Sequence, residues 1–133
     1  MLPVIEFKNP ILQNMTTKAI AKQLVALCRK AQWETAQKKL YAVNAVSVEA
    51  EAMPGAAKET KGRKAIIAKG RKFTAGIEKL HSLAVSEPVV GDDAFACTMS
   101  IDMTMKGQGR MKMNEVCVYV VKRGKIVSEQ FFY

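Results

Sequence analysis

A single glutamate interrupts an apolar alternation near the C-terminus of the chain. At every second position from 111 to 121 the residues are Met, Met, Glu, Cys, Tyr and Val. This period of two predicts a strand with one apolar face, which carries Glu115 and Tyr119. Burial among apolar side chains raises the pKa of a carboxyl group towards neutrality, where a general acid or base works best. We therefore predict Glu115 as a catalytic acid or base and Tyr119 as a hydrogen-bond donor beside it. The alternative is that Glu115 pairs with a buried polar partner and has a structural role only.

The chain has one histidine, His81, which is the third candidate catalytic residue. It shares the parity of Leu83 and Val85 in the first strand of the C-terminal half. We therefore expect it to line the same hollow, either as an acid or base or as a partner for Glu115. The alternative of a structurally satisfied core histidine stays open.

The strand before Glu115 is predicted to share its apolar face. Apolar residues occupy the odd positions from 95 to 105. Both odd sets can lie on one face only if the loop near 107–109 has an odd number of residues or a bulge. If the 123–124 turn has two residues, position 130 joins that face, whereas Glu129 and Asp102 fall on the other. The predicted ligand contacts are Glu49, Met99, Met113, Gln130, Trp33 and Phe73. Methionine suits an adaptable apolar lining, although a core stripe and, for Glu49, a solvated position are simpler alternatives.

Three helices and a run of strands must position these residues. Thr16 or Thr17 can cap a first helix, a second spans about 33–41, and a third begins after Gly62. Alternation predicts strands at 43–51, 80–90, 94–105, 110–122 and 126–132, with a loop at 53–61. The order ααβαββββ indicates an α+β fold with N-terminal helices packed on an antiparallel sheet. Residues 15–133 are predicted to form this single domain, and 1–14 an N-terminal extension.

The face of the sheet opposite Glu115 is not plainly polar. Its predicted residues include Ala94, Ala96, Val116, Val118 and Val120. A face open to solvent normally carries polar side chains. Small and β-branched residues there indicate a covered face, so we expect a homodimer packed sheet to sheet.

Composition excludes several classes of protein. The chain has 133 residues, 49% of them hydrophobic, and 21 Lys+Arg against 12 Asp+Glu give a net charge of 21 − 12 = +9, which fits one basic domain. Three widely spaced cysteines and one histidine cannot supply a structural zinc site, and the odd cysteine count favours reduced thiols and a cytoplasmic protein. Motifs for dinucleotides, nucleoside triphosphates, serine hydrolysis and zinc proteolysis are missing from the sequence. We therefore predict no metal, no cofactor and no membrane span.

Several segments together resemble a known family. They are the Glu115–Tyr119 segment, the turn at 122–125, the ending 126–133, the helix from Trp33 to Tyr41 and the segment 62–66, Gly-Arg-Lys-Ala-Ile. From about Met15 onward the chain resembles the SnoaL-like branch of the nuclear transport factor 2-like superfamily. That resemblance implies a cone-shaped roll of helices wrapped by a curved antiparallel sheet, with an internal pocket for a small hydrophobic molecule and frequent homodimers.

The resemblance also implies a kind of chemistry. Related polyketide cyclases, ketosteroid isomerases and dehydratases use a carboxylate or a His–Asp pair in the pocket, without a cofactor. Tyr41 is followed by Ala42-Val43-Asn44 rather than by the usual Asp, so no catalytic dyad carries over to this chain. Glu115, Tyr119 and His81 remain candidates from strand parity and expected burial.

Three functions are open from the sequence. The first is a cofactor-independent isomerase, cyclase or dehydratase with a closed pocket that touches Glu115. The second is a non-catalytic dimer that binds a small ligand or a protein. The third is nucleic-acid binding through the basic run at 58–72, which contains Arg63, Lys64, Lys69, Arg71 and Lys72. That run lacks interleaved aromatic residues, so a solvated helix face is the favoured interpretation.

Overall fold

Residues 15–51 and 57–133 are described by a computed structural model. The predicted N-terminal extension lies outside these residues. The elements are α1 (Thr17–Arg29), α2 (Trp33–Leu40), β1 (Tyr41–Val48), β2 (Glu59–Lys61), α3 (Arg63–Ala75), β3 (Ile77–Val85), β4 (Val89–Val90), β5 (Ala94–Met105), β6 (Gly109–Lys122) and β7 (Lys125–Phe132). Among these elements no helix is long and apolar enough to cross a bilayer.

The predicted α+β class and the order of the main elements are confirmed, although the strand predicted at 80–90 is divided into β3 and the short β4. The sheet shows two further differences. The first is β2, which lies at the end of the segment predicted to be a loop and forms because Val46 of β1 pairs with Lys61. The second is that the sheet is mixed, since β1 runs parallel to β7. Alternation reports on strands but not on partners distant in sequence, which is why the parallel pair was missed.

The sheet has the order β2-β1-β7-β6-β5-β3, with β4 paired to β5. The inner face of the curved sheet carries the helices: α1 packs on β3 and β5, and α3 packs on β1. The side chain of Thr16 caps α1 by accepting from the backbone N–H of Ala19 at 3.1 Å. The buried stripe of α1, which contains Ile20, Leu24 and Cys28, faces the sheet as its spacing predicts.

The β5–β6 hairpin has the predicted register. Met105 pairs with Gly109 and Ala94 with Val120, without a shift between them. The intervening loop therefore has three residues, and its Gly107 adopts a φ of 74°, which favours glycine. The odd-numbered side chains share the inner face, where the rings of Phe95 and Tyr119 stack with centroids 4.8 Å apart.

The β6–β7 hairpin departs from its predicted register because β7 contains a bulge. The turn has two residues, as expected, since Lys122 pairs with Lys125 and Val121 with Ile126. Val120 then pairs with Ser128, so β7 holds one extra residue at this point. The parity of β7 reverses beyond the bulge: Glu129 lies on the inner face opposite Tyr119, and Gln130 lies on the outer face. The predicted faces of Glu129 and Gln130 were therefore wrong.

Candidate functional site

Glu115 lies half-buried on the inner face of β6, directly opposite Met99 of β5. Burial raises the pKa of Glu115 to about 7, and the negative charge of Glu49 adds to this shift. A thiol opposes the shift, since the Sγ of Cys117 lies 3.8 Å from a Glu115 carboxylate oxygen. The structure places Glu115 on the predicted face of β6, and a carboxyl group with a pKa of about 7 can both hold and release a proton near neutral pH.

A second glutamate on this face was missed by the sequence analysis. Glu129 is 3% exposed, accepts a hydrogen bond from the hydroxyl of Tyr41 and also bonds with Ser47, its pairing partner across the parallel β1–β7 contact. Burial raises the pKa of Glu129, and the bonds from Tyr41 and Ser47 partly oppose that rise. Its neighbours of equal parity, Val127 and Phe131, are apolar. A glutamate between apolar residues of equal parity is also the pattern that singled out Glu115. In β7 the bulge reverses the parity of the inner face, so the pattern was assigned to the outer face.

A lysine on α3 binds a third carboxyl group, that of Glu49, on the same side of the sheet. The Nζ of Lys69 donates to Ser47 Oγ and to Glu49 Oε2, both at 3.0 Å. Glu49, at the end of β1, also accepts a hydrogen bond of 2.8 Å from the hydroxyl of Tyr133. Glu49 therefore lies beside the predicted site, together with Lys69 and Tyr133, which the sequence analysis did not select. We call Glu49, Glu115 and Glu129 the glutamate cluster.

Two basic side chains of α3, Lys69 and Arg71, are bound by carboxylates. Lys69 points inward because it shares a helical face with Ile66 and Phe73, three and four residues away. Its assignment to a solvated face was wrong. Arg71 is held by the carboxylate of Glu34 through bonds of 2.7 and 2.9 Å, which leaves fewer free cations for nucleic acid.

The charges of the glutamate cluster act on one another. Glu49 raises the pKa of both Glu115 and Glu129, and Glu129 adds to the rise at Glu115. Lys69 lowers the pKa of both groups but is itself engaged by Glu49. Several carboxyl groups near one ammonium group favour partial protonation, and such an arrangement can store and transfer a proton.

The other predicted contacts on the inner face are apolar or aromatic. Tyr119 is 2% exposed, and burial raises its pKa well above the usual range, so its hydroxyl keeps the proton. Met99 is buried opposite Glu115, whereas Met113 is half-buried opposite Ile101. Met99 is therefore the apolar neighbour of Glu115 across the β5–β6 pair.

Trp33 and Phe73, the predicted contacts on helices, touch each other. Their rings meet edge to face with centroids 6.3 Å apart, and Phe73 lies one helical turn beyond Lys69. The Nε1 of Trp33 is buried and finds no acceptor within the described part of the chain. A buried donor without a partner is uncommon and can receive a water molecule or a ligand atom.

His81 and Gln130 do not join the glutamate cluster. The Nε2 of His81 lies 2.7 Å from Thr104 Oγ1, on the outer face beside the Asp102–Arg110 ion pair. The predicted inner position of His81 was wrong because the β3–β5 register shifts between Leu80 and Ser82. The exposed Gln130 lies on the outer face because of the bulge in β7.

Two open hollows mark the surface, and neither is lined by the glutamate cluster. One, of about 580 Å³, lies at the N-terminus of α1 beside Asp92 and Arg123. The other, of about 740 Å³, lies at the N-terminus of α3 beside Val43 and Arg63. The predicted closed pocket corresponds to neither hollow. Glu115 is half-buried, with half-buried Met113 and Phe131 on the same face.

The described residues hold no group of His, Cys, Asp and Glu side chains that could bind a metal ion. The members of the glutamate cluster come from β1, β6 and β7, with Lys69 supplied by α3.

The chain belongs to the SnoaL-like family, since the family model described as a SnoaL-like domain matches residues 15–133. A candidate SnoaL-like polyketide cyclase from Mesorhizobium loti is 33% identical, with 90% of this chain and 100% of that chain covered and a TM-score of 0.82. The resemblance predicted from the sequence is thereby confirmed. No curated protein matches the chain.

Two more distant solved structures share the fold. One is a protein with a ketosteroid isomerase-like fold from Catenulispora acidiphila, in complex with trimethylamine, at 18% identity and a TM-score of 0.67 over 89% of this chain and 87% of that chain. The other is a nuclear transport factor 2-like protein from Burkholderia pseudomallei, at 14% identity and a TM-score of 0.72 over 90% and 92%. At these identities the likeness concerns the fold alone.

Proposed function

We propose that the chain binds a small apolar molecule beside Glu115 and acts on it as a cofactor-independent isomerase, cyclase or dehydratase. The observation that carries the proposal is the Glu115 carboxyl group, half-buried beside apolar side chains, with a pKa raised by burial to about 7. A group with that pKa has both its acid and its base forms populated at neutral pH, as proton transfer to and from carbon requires. The Mesorhizobium relative, whose name gives both a polyketide cyclase and a carbohydrate phosphatase, supports the cyclase member of this reaction class.

The neighbours of Glu115 have distinct roles in this proposal. Glu115 removes a proton from the carbon next to a carbonyl group and returns it at a second position. Tyr119 keeps its proton because burial raises its pKa, so it is the proposed hydrogen-bond donor to the carbonyl oxygen. Met99 and Met113 contact the apolar body of the ligand, and the Trp33–Phe73 pair forms a further wall.

Proton exchange at carbon tests this proposal without knowledge of the natural substrate. With 2-tetralone in D₂O, we expect the protein to accelerate exchange of the protons next to the carbonyl, with a rate that rises with pH through an inflection at about 7. Glu115→Gln should lower the accelerated rate by about 100-fold or more, because it removes the base. Proton NMR follows the exchange directly.

Glu59→Gln is the matched control for this experiment, since Glu59 is an exposed glutamate on β2. It should leave the exchange rate unchanged. Equal rates for the wild type and Glu115→Gln would overturn the assignment of Glu115, and a rate equal to that of buffer alone would overturn catalysis on this substrate class.

A non-catalytic ligand-binding function is the second candidate, favoured by the buried indole N–H of Trp33, which has no acceptor among residues 15–51 and 57–133. Its test is thermal unfolding in the presence of 1-naphthol, which has an apolar body and one polar group. If the protein only binds, 1-naphthol should raise the melting temperature of the wild type and of Glu115→Gln equally, with no proton exchange from 2-tetralone.

We further propose that the outer face of the sheet packs against a second copy of the chain. Val116 and Phe132 pair across β6 and β7, and they are 43% and 47% exposed. Adjacent exposed apolar side chains on a sheet favour a covering partner. Val116→Lys should therefore convert a dimer into a monomer in light scattering, whereas a monomeric wild type would refute the proposal. Three free and buried cysteines agree with the proposed cytoplasmic location.

A further inference from the structure

Two of the three cysteines face each other directly, although twenty residues separate them. Cys97 of β5 pairs with Cys117 of β6, and both are buried on the inner face. Directly opposed residues of antiparallel strands have Cα atoms about 4.5–5.5 Å apart. A disulfide bond needs a Cα separation of about 4.4–6.8 Å. The β5–β6 register therefore already holds the two residues at bonding distance.

The two thiols differ in acidity in a way that suits nucleophilic chemistry. A hydrogen bond from Cys117 and the positive charge of Arg29 lower the pKa of Cys97. The bond to Cys97, burial and the charge of Glu115 raise the pKa of Cys117. A thiol with a lowered pKa beside a thiol with a raised pKa is the arrangement of an attacking and a resolving cysteine. A carboxylate oxygen of Glu115, 3.8 Å from the Sγ of Cys117, is a nearby proton acceptor.

We propose that Cys97 and Cys117 form a redox-active pair, which hydroperoxides convert into a cross-strand disulfide within the β5–β6 hairpin. The pair lies at the glutamate cluster because Cys117 also contacts Glu115. Cys28 is outside the pair, since it lies on α1 and not on the β5–β6 hairpin.

The reaction consumes one hydroperoxide and two thiols. The Cys97 thiol loses its proton, and the resulting thiolate attacks the terminal peroxide oxygen. The O–O bond breaks, and the departing alkoxide (hydroxide when the oxidant is hydrogen peroxide) takes up one proton in place of the one that Cys97 lost, which leaves a sulfenic acid on Cys97. Glu115 then accepts the proton of Cys117, whose sulfur attacks the sulfur of Cys97. The S–O bond breaks, and the departing hydroxide leaves as water with the proton held by Glu115. Two electrons pass from the thiols to the peroxide.

Oxidation also changes Glu115. The Cys117 thiol donates to the Glu115 carboxylate and so lowers its pKa. The disulfide has no S–H group, so the pKa of Glu115 should rise when the bond forms. If Glu115 is the base of the proposed function, oxidation moves the exchange reaction to higher pH. That consequence alone rests on the proposed function, whereas disulfide formation does not.

The test treats the reduced, folded chain with hydrogen peroxide, then unfolds it and alkylates the remaining thiols. Mass spectrometry should find a chain alkylated only at Cys28, with a mass two hydrogens lower than that of the reduced chain carrying one alkyl group. After digestion, one peptide should link Cys97 to Cys117 and separate into two on reduction. Cys28→Ala is the matched control and should still form the bond. Cys97→Ser should form no disulfide.

Three results would overturn the proposal: three free thiols after treatment, a bond that includes Cys28, or oxidation that stops at a single cysteine. A carbon-13 titration of the Glu115 carboxyl group gives a second measurement on the wild type, and its pKa should be higher in the oxidised than in the reduced protein. Proton exchange from 2-tetralone by the reduced chain separately decides the proposed function, so the two failures can be told apart.

Discussion

The β5–β6 hairpin and the β1–β7 pair each deliver a glutamate to the inner face, by opposite routes. The hairpin joins neighbouring strands through a three-residue loop, and its register runs without a shift. The β1–β7 pair is parallel, joins strands from opposite ends of the domain, and has a register irregularity between Tyr41 and Val46. One region is local and regular, and the other is long-range and irregular.

The two glutamates differ accordingly in their partners. The regular hairpin places Glu115 opposite the apolar Met99, and its hydrogen-bond contact is a thiol at 3.8 Å. The bulged strand β7 places Glu129 where Tyr41 and Ser47 both bond to it. A bulge redirects one side chain, and here it brings Glu129 to its hydrogen-bond partners. Glu129 therefore has two hydrogen-bonding partners from β1, whereas Glu115 has one thiol contact.

Removal of Glu129 should have the largest effect on stability. Glu129→Ala leaves the buried hydroxyl groups of Tyr41 and Ser47 without their acceptor and opens a cavity. We expect a loss of about 3–4 kcal/mol in the free energy of unfolding, measured by urea denaturation at pH 7. The exposed Glu59→Ala should change it by about 0.5 kcal/mol or less. Equal losses for the two variants would remove the structural role of Glu129.

The regular hairpin could be predicted from the sequence, whereas the irregular strands could not. Alternation over 94–122 was sufficient for the hairpin, its odd loop and the inner position of Glu115, because hairpin register is set locally. The bulge in β7 and the shift in β3 each displaced one residue, and so Gln130 and His81 were assigned to the wrong face. Lys69 was assigned to solvent with the rest of the basic run, although its spacing from Ile66 and Phe73 already placed it beside the apolar face of α3; its partners Ser47 and Glu49 depend on how α3 packs on β1, which is a tertiary property.

Removal of the Glu115 charge should have the next largest effect on the free energy of unfolding, and it should stabilise the fold at high pH, whereas removal of Glu129 destabilises it. The folded chain holds the Glu115 proton up to a pKa of about 7, whereas the usual value is 4.5. Protonation therefore favours the folded state, and this contribution to stability is lost as the pH rises from 4.5 to 7. Glu115→Gln stays neutral, so its stability relative to the wild type should increase by about 2–3 kcal/mol between pH 4 and pH 8.

Urea denaturation across this pH range measures the effect, and Glu78→Gln, an exposed substitution on β3, is the matched control. The control should keep a constant difference from the wild type. If the difference in free energy of unfolding between Glu115→Gln and the wild type is also independent of pH, the pKa of Glu115 is not raised in the folded chain. Glu115 would then not be the group that titrates near neutral pH.

Lys69 links the two regions and should give the smallest effect on stability. Lys69→Met removes the donor to Glu49 and Ser47, and we expect a loss of about 0.5–1 kcal/mol, because the ion pair is partly exposed. It should also raise the pKa of Glu115, since the Lys69 charge lowers that pKa. Lys72→Met removes an equal charge from an exposed position on the same helix and should leave the pKa unchanged. If both variants shift the Glu115 pKa equally, the coupling depends on net charge alone, and the contact of Lys69 with the glutamate cluster has no specific effect on the acid–base group.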